Sequence, residues 1–346
     1  MNIVSTRCNP FSDFGGMEKW SYALANALSN QDVVLFITGE GIFSIKNRKK
    51  TVVKKFKTSN SIHAICKVGF HTYKTIKANQ INTLHLFGHV GIPSLYLQNN
   101  LISKSSFYGL GYECVFNKDK GILKKIKNTV HRFLMRITLL KINRLYTLEK
   151  GQVDKIASYF KLDKAKIGTL ENFIDNRNIK QIPNFKEGRK KVVLSIGRDC
   201  AAKRRDKLIR DWIAYYKNEN DFELVIISQN LKANLLKKIK GVNNIKYLSN
   251  ISDKELNKIR SESSFDVSYS NQSTPLLTSL ESISYGCIPI ISKNNDTGFF
   301  NDKNSIILQD LSNISIERLN KVFENAYSII KDRTISSFEQ KVLNEL

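Results

Sequence analysis

Residues 192–203 read VVLSIGRDCAAK, and this stretch decides the fold class of the chain. Its first five residues are apolar or small, a run that is typical of a buried β-strand. Gly197 then ends the strand, and residues 205–216 have the apolar spacing of an amphipathic helix. A strand, a glycine-containing turn and a helix in this order indicate one repeat of a parallel α/β sheet.

The same alternation of strand and helix runs through the whole chain. Strands are predicted at residues 2–5, 33–38, 83–87, 144–148, 192–196, 223–228, 265–269 and 288–291. Helices are predicted at residues 17–28, 152–160, 205–216, 253–261 and 277–285, with a further helical pattern from 315 to 346. A second strand, glycine loop and helix begins at residue 2, so the pattern favours an α/β protein with two similar domains and parallel sheets.

We place the domain boundaries where the alternation is interrupted. The N-terminal domain is predicted at residues 1–165 and the C-terminal domain at 166–328, because Pro183, Gly188 and a cluster of cations break the pattern between about 160 and 190. Residues 329–346 are predicted to form a C-terminal helix that could pack back on the N-terminal domain.

Composition excludes several classes of protein. The 346 residues are 41% hydrophobic, enough for two cores, which excludes a disordered or collagen-like chain. No apolar run approaches the roughly 18–20 residues of a membrane-spanning helix, and no leader pattern precedes the first strand. The five cysteines are scattered without metal-site spacing, as expected of free thiols in a reducing compartment. These features predict a cytoplasmic protein.

The positive charge is concentrated in the N-terminal half. The formal net charge is +24, and residues 1–150 contain 23 basic and 7 acidic residues. Residues 122–140 form a predicted basic amphipathic helix, with the cations Lys124, Lys125, Lys127, Arg132 and Arg136. Such a helix can lie on an anionic membrane surface or can be a packed helix with a solvated basic face. Nucleic acid is disfavoured because the chain has no nucleic-acid-binding motif.

Three segments carry residues suited to binding a ligand: two loops have features that favour phosphate, and one helix carries a carboxylate that could bind hydroxyl groups. Gly15 and Gly16 follow the first strand and open a helix, where free N–H groups favour phosphate, although a plain tight turn is the alternative. Arg198 and Lys203 come just after the strand at 192–196, at the edge where open α/β sheets bind ligands. Two cations there would neutralise a diphosphate leaving group. Glu281 lies about one turn into the helix that starts near Leu276, where its carboxylate could accept hydroxyls of a ribose or sugar.

These residues together resemble the motifs of a known family. Nearly the whole chain is similar to the retaining, two-domain GT-B glycosyltransferases of glycosyltransferase family 4. The Gly-Gly-x-Glu helix start is matched by Gly15, Gly16 and Glu18, and the Gly-Arg…Lys pair by Gly197, Arg198 and Lys203. Residues 170–175 resemble the Asn-Gly-apolar-Asp turn, with Phe173 in place of the Gly. Glu281 matches the second Glu of E-x7-E, and residues 286–289 resemble the Gly-x-Pro that follows, one residue longer.

The resemblance implies a fold, a reaction and a site. It implies two Rossmann-like domains whose parallel sheets face a central cleft, with the nucleotide-sugar donor bound by the C-terminal domain and the acceptor by the N-terminal domain. Arg198 and Lys203 would hold the donor diphosphate and Glu281 the ribose. Backbone N–H groups would come from Gly15, Gly16, Ser273, Thr274, Leu276, Leu277 and Thr278. No Asp-x-Asp sequence occurs, so no metal is expected.

Two positions depart from the family pattern. Ser273 stands where the first Glu of E-x7-E is expected, and the usual N-terminal-domain histidine is missing after the strand predicted near 105–108. His89 is the candidate to serve the same cleft, with a structural or solvent-facing role as its alternative.

The resemblance therefore predicts a retaining glycosyltransferase. It would move a hexose-type sugar from a UDP- or GDP-type donor to a glycan-lipid or polysaccharide acceptor at the inner face of the plasma membrane, in cell-surface polysaccharide or lipopolysaccharide synthesis. Two alternatives remain open: a nucleotide-sugar epimerase or similar GT-B enzyme, and a catalytically silent homologue that binds a nucleotide sugar or partners an active transferase.

Overall fold

The computed structural model describes residues 1–6, 16–56, 58, 61–88, 92–97, 102, 104–108, 122–174, 191–197, 199, 203–269, 277–292 and 300–345. The chain divides into two compact units. Unit 1 comprises Met1–Asn172 and Ser336–Leu346, and unit 2 comprises Phe173–Ile335.

Unit 1 is built on an eight-stranded sheet in the order β4-β3-β2-β1-β5-β6-β7-β8. Its strands are β1 (Asn2–Ser5), β2 (Val34–Thr38), β3 (Gly41–Lys46), β4 (Lys49–Lys55), β5 (Thr83–Phe87), β6 (Lys104–Tyr108), β7 (Arg144–Thr147) and β8 (Ile167–Thr169). Parallel pairing runs from β2 through β1 to β8. Every residue of β1 is buried, as expected for a central parallel strand that is covered on both faces.

An antiparallel hairpin at one edge of this sheet differs from the prediction of parallel strands only. β3 pairs antiparallel with both β2 and β4. The turn between β3 and β4 has positive φ at Asn47 (48°) and Arg48 (62°), the backbone of a two-residue hairpin turn. All of β4, sequence KKTVVKK, is exposed, and its lysines protect the sheet edge against pairing with other chains. Sequence reasoning missed β4 because it has no buried face and hence no apolar alternation.

Unit 2 is built on a six-stranded parallel sheet in the order β11-β10-β9-β12-β13-β14. Its strands are β9 (Lys191–Ile196), β10 (Phe222–Ile227), β11 (Ile245–Leu248), β12 (Phe265–Ser268), β13 (Ile288–Ile291) and β14 (Ile306–Ile307). Numbered from β9, this is the order 3-2-1-4-5-6 of a Rossmann sheet, whose direction of growth reverses between β9 and β12.

The helices connect the parallel strands. They are α1 (Gly16–Ser29), α2 (Ser61–Ala78), α3 (Ile92–Leu97), α4 (Ile122–Lys141), α5 (Val153–Phe160), α6 (Arg205–Tyr216), α7 (Ala233–Ile239), α8 (Asp253–Glu262), α9 (Leu277–Ser284), α10 (Ile316–Ile330) and α11 (Ile335–Glu345), with 3-10 turns at Lys150–Gln152, Lys164–Lys166 and Leu308–Asn313. The eight strands and five helices for which the sequence analysis gave residue ranges are all present, and their observed ends lie within one residue of the predicted ends.

The two faces of the unit 1 sheet are covered by different helices. Successive residues of a strand point to opposite faces, so Leu84 and Leu86 of β5 face one way and Phe87 the other. Leu84 and Leu86 belong to a core that includes buried residues of α2, α3, α4 and α5. Phe87 instead contacts Trp20 of α1, and the Trp20 ring also contacts Phe338 of α11, with centroid distances of 5.5 and 4.9 Å.

The unit boundaries lie later in the chain than residues 165 and 328. β8 follows residue 165 but pairs with β7, so it extends the unit 1 sheet. In unit 2, Ile174 forms a β-bridge with Thr334, which keeps the chain in that unit up to the start of α11. α11 then lies in unit 1, where Glu339 pairs with Arg48 at 2.6 Å.

Candidate functional site

The candidate site lies where the strand order of unit 2 reverses. β9 and β12 are neighbours in the sheet, and the chain leaves their carboxyl ends toward helices on opposite sides. Such a reversal leaves a crevice in which open α/β sheets bind ligands. We call the small cavity found there the switch-point cavity; its lining includes Ser195, Lys203, Arg205, Ser268, Tyr269 and Thr278.

Gly197 and Lys203 lie against each other at the end of β9. The φ of Gly197 is +127°, a conformation that side-chain-bearing residues rarely adopt. A Cβ at this position would lie 3.4 Å from Cε and 3.6 Å from Nζ of Lys203. At these distances a Cβ would only touch the side chain, so glycine is favoured here by the positive φ and not by the room it leaves for Lys203. Arg198, its predicted partner in holding a diphosphate, lies outside the described residues.

Arg205 is a second cation at this strand end, and the sequence analysis missed it. Its side chain is 2% exposed. Nη1 donates to the carbonyl and hydroxyl oxygens of Ser195 at 3.0 and 3.2 Å, and Nη2 donates to the carbonyl of Gly197 at 2.6 Å. Arg205 therefore holds the backbone of Ser195 and Gly197 at the end of β9 in place. In the sequence Arg205 follows Lys203 and Arg204, and three consecutive cations at the start of a helix are typical of an exposed helix end.

Asp266 joins β12 to α9 beneath the same cavity. It is buried, and its Oδ1 accepts a hydrogen bond from the Ser282 hydroxyl at 3.0 Å. Burial raises the pKa of its carboxyl group, while hydrogen bonds from Ser279 and Ser282 and the charges of Arg260 and Lys203 oppose that rise. The signal in the sequence was an acid inside a strand, FDVS, that otherwise has no charge. A single acidic residue in a strand does not indicate its partners, so the sequence alone predicts no role for Asp266.

The start of α9 provides the third side of the cavity. Thr278 and Ser279, in its first turn, line the cavity together with Lys203. The first N–H groups of a helix lack partners within the helix and favour anions. Of the predicted residues, Thr278 lines the cavity and Leu277 is the first residue of α9; both are half-buried. Ser273, Thr274 and Leu276 lie outside the described residues.

Glu281 forms an ion pair that the sequence did not predict. Its Oε2 accepts from Nη2 of Arg260 at 2.5 Å, and Nη1 of Arg260 donates to Oδ1 of Asn257 at 3.2 Å. The Arg260 side chain is 3% exposed and that of Glu281 is 17% exposed. The guanidinium therefore orients the Glu281 carboxylate, part of whose surface is reachable from solvent.

The N-terminal candidates are described only in part. Gly16 is the first residue of α1, and Glu18 is buried in its first turn, where an acidic side chain complements the helix dipole. Gly15 and His89 lie outside the described residues. His85, four residues before His89, is buried, with Nδ1 2.9 Å from the Tyr108 hydroxyl and Nε2 2.9 Å from that of Thr83. Burial lowers the pKa of His85 to about 3, so its ring is neutral and structural.

The described residues contain no group of three or more His, Cys, Asp or Glu side chains placed to hold a metal ion.

Comparisons with known proteins give matches in structure only. No protein-family model matches the chain, and no curated protein matches it. Among solved structures it is similar to TarM, with 18% identity and a TM-score of 0.60, covering 88% of this chain and 61% of TarM. The chain thus spans about three fifths of the length of TarM. A TarM structure from S. aureus contains UDP and alpha-GlcNAc-glycerol.

Two further neighbours match along nearly their whole length. The E. coli trehalose-6-phosphate protein bound with UDP-2-fluoro glucose has 11% identity and a TM-score of 0.74, covering 99% of this chain and 98% of that one. The lipopolysaccharide outer core galactosyltransferase WaaB has 14% identity and a TM-score of 0.63, with the same coverages of 99% and 98%. These neighbours are GT-B proteins, and the α/β fold predicted from the sequence is confirmed as GT-B.

Proposed function

We propose that the chain is a glycosyltransferase that takes a sugar from a nucleotide-diphosphate donor bound at the switch-point cavity. One observation carries this proposal: a lysine ammonium and a buried guanidinium flank Gly197 at the reversal point of a Rossmann sheet, opposite the start of a helix. The lysine ammonium and the helix N–H groups suit a diphosphate, which is doubly charged and rich in acceptor oxygens, while the buried guanidinium holds the strand end in place.

The chemistry follows from where charge develops. When the bond between the anomeric carbon and the diphosphate breaks, negative charge grows on the leaving oxygen. The acceptor hydroxyl forms the new bond to the anomeric carbon, and its proton passes to the departing diphosphate. Lys203, with Arg198, would stabilise that charge, and Arg205 would hold the strand end that positions them. Glu281, oriented by Arg260, would accept hydrogen bonds from hydroxyl groups of the donor ribose. We also propose that the anomeric configuration of the sugar is retained, because the sequence resembles a family of retaining glycosyltransferases.

The acceptor we propose is a glycan-lipid or polysaccharide at the inner face of the plasma membrane, in cell-surface polysaccharide or lipopolysaccharide synthesis. Two neighbours support this class of acceptor, since one is a lipopolysaccharide galactosyltransferase and another was solved with alpha-GlcNAc-glycerol. We also propose that the donor binds without a bridging metal, because the chain lacks an Asp-x-Asp sequence.

A catalytically silent homologue is the second candidate. The observation that favours it is Ser273, which stands where a carboxylate is expected beside the transferred sugar. Such a protein would bind the nucleotide sugar and leave it intact.

Release of nucleoside diphosphate from UDP-, GDP- and ADP-sugars separates the two candidates. We expect release from the sugars of one base, at the same rate in excess chelator, and at least about 100-fold slower in Lys203→Ala because a leaving-group cation is lost. Lys237→Ala, an exposed lysine on α7, is the matched control. Nucleotide binding without release from any donor, with glycan acceptors present, would support the silent homologue instead.

A further inference from the structure

Unit 1 exposes apolar side chains on three neighbouring helices. α3 contacts both α2 and α4, and all three cover the same face of the sheet. Five large apolar side chains on them are between 40% and 62% exposed: Phe70 on α2, Tyr96 and Leu97 on α3, and Phe133 and Leu140 on α4. Scattered exposed apolar residues are ordinary, but five on three adjacent helices form a surface that needs an explanation. We call it the α2–α4 surface.

The structure changes the meaning of the amphipathic pattern in α4. Met135 and Leu139 are buried in the unit 1 core, so much of the apolar stripe seen in the sequence packs on the sheet. Phe133 and Leu140 lie about half a turn away from that buried pair, which directs them away from the sheet. They are 62% and 55% exposed. The packed helix therefore still presents apolar groups outward, on the side where a domain helix is normally polar.

Cations surround these apolar groups. The sequences of α2, α3 and α4 contain no acidic residue, whereas α2 contains three lysines and α4 six lysines and arginines. Nζ of Lys74 lies 4.6 Å from the centre of the Phe70 ring, and Nζ of Lys141 lies 4.3 Å from that of Tyr96. Arg136 is exposed one turn from Phe133 and Leu140. The α2–α4 surface thus combines positive charge with exposed apolar side chains.

We propose that the α2–α4 surface docks on an anionic lipid bilayer. Lysines and arginines would lie at the phosphate headgroups, while Phe133 and Leu140 enter the boundary between headgroups and acyl chains. An aqueous polyanion such as a nucleic acid also attracts the cations, but it gives an outward leucine no apolar phase to enter. Across the described residues no helix is long and apolar enough to span a bilayer. The inference deepens the proposed function, on which its choice of membrane face rests, by naming the surface that would meet the bilayer. Its observations come from unit 1 alone, so vesicle binding can be tested without a donor.

The test is sedimentation of the full chain with vesicles of phosphatidylcholine alone or mixed with phosphatidylglycerol. We expect binding to the mixed vesicles only, falling steeply between about 50 and about 300 mM salt as the charges are screened. Lys74→Gln with Arg136→Gln should weaken binding about 25-fold, since each cation near the surface contributes about fivefold. Phe133→Ser with Leu140→Ser should weaken it by about tenfold or more through lost apolar insertion.

Unit 2 offers matched controls on one helix. Leu236 on α7 is 38% exposed and is followed by the exposed Lys237 and Lys238. Leu236→Ser, and Lys237→Gln with Lys238→Gln, should leave vesicle binding unchanged. All the substituted side chains are exposed, so each variant should keep the unfolding temperature of the wild type, which checks that it folds.

Three results would overturn the proposal: no binding of the wild type to anionic vesicles, equal weakening by the unit 2 controls, or binding that ignores Phe133→Ser with Leu140→Ser. In the last case, tighter binding of duplex DNA would identify the surface as a nucleic-acid site. Nucleoside diphosphate binding, measured on the same samples, reports on the proposed function separately.

Discussion

Arg260 and Glu281 form the pair on which the shape of the candidate site depends most. Their 2.5 Å contact joins α8 to α9, and Arg260 is 3% exposed. Removing one partner of such a pair leaves the other charge buried without compensation. We expect Arg260→Gln to lower the free energy of unfolding by about 2 kcal/mol, below the roughly 3–5 kcal/mol for a fully buried pair because Glu281 is partly exposed.

The double variant Arg260→Gln with Glu281→Gln should recover more than half of that loss, because two neutral amides replace the charge left alone. Arg210→Gln is the control: Arg210 is 68% exposed and 3.9 Å from Asp211, so its loss should cost less than about 0.5 kcal/mol. Urea denaturation of the wild type, both single variants Arg260→Gln and Glu281→Gln, and the double variant measures the coupling, with Arg210→Gln measured beside them. A cost for Arg260→Gln no larger than that for Arg210→Gln would contradict the role given to this pair.

Asp266 makes stability depend on pH in the opposite sense to most carboxylates. Burial raises its pKa in the folded state above the ordinary value of 3.8. The folded state therefore holds a proton that the unfolded state has lost, and this contribution to stability declines as pH rises from about 4 through the folded pKa. Asp266→Asn, which cannot ionise, should gain stability relative to the wild type as pH rises from about 4 to about 7. Urea unfolding at several pH values checks this; a difference that is constant with pH would refute it.

Some residues of the candidate site could be identified from the sequence, and others could be identified only from the structure. Lys203, Leu277, Thr278 and Glu281 could be predicted because each follows a strand end or occupies a motif position. Arg205, Arg260 and Asp266 could not, because their importance comes from burial and from partners on other elements. The partner of Arg260, for example, is 21 residues away along the chain.

At the scale of elements, the turn from β9 to α6 is the most constrained part of the site. Gly197 has a φ of +127° and Lys203 beside its missing Cβ. Gly197→Ala should lower the free energy of unfolding by about 1–2 kcal/mol from backbone strain, and relief of that strain should shift the turn that carries Lys203 and weaken nucleoside diphosphate binding.

Gly151→Ala is the matched control, because a Cβ at Gly151 meets nothing within 4 Å. It should change stability by less than about 0.5 kcal/mol. Thermal unfolding with and without nucleotide measures both effects. If Gly197→Ala bound nucleotide as tightly as Gly151→Ala, the turn would have no part in binding.

Helices and strands could be predicted from the sequence where burial of one or both faces produces a regular pattern of apolar residues. The buried strands β1, β5, β9 and β13 appear as short apolar runs. β4 is exposed at every position, so its place is set by the hairpin turn and by pairing with β3, and neither leaves a period in the sequence.

At the scale of the whole molecule, the chain returns to its first unit at the end. Phe338 of α11 is buried against Trp20, 4.9 Å between ring centroids, so α11 completes one face of the unit 1 sheet. We expect Phe338→Ala to lower the free energy of unfolding by about 3 kcal/mol through the cavity it leaves. Phe133→Ala, a 62% exposed phenylalanine in the same unit, should cost less than about 0.5 kcal/mol. Equal losses in thermal unfolding would contradict this account of α11.

The overall fold was the most predictable feature, because strand and helix alternate from one end of the chain to the other. The unit boundaries were less so: β8 joins unit 1 through pairing with β7, a contact between distant segments that local patterns do not record. The return of the C-terminal helix to the N-terminal domain was foreseen as a possibility, and α11 does belong to unit 1, where Phe338 packs on Trp20 of α1.

The most direct test of the central claim is calorimetric titration of the full chain with UDP, GDP and ADP. We predict that one of the three binds, and that Lys203→Ala binds it at least about tenfold more weakly, a loss of about 1.4 kcal/mol, while Lys237→Ala binds it as the wild type does. Binding of none of them, or equal affinity in Lys203→Ala and the wild type, would contradict the claim that the switch-point cavity holds a nucleotide-diphosphate donor.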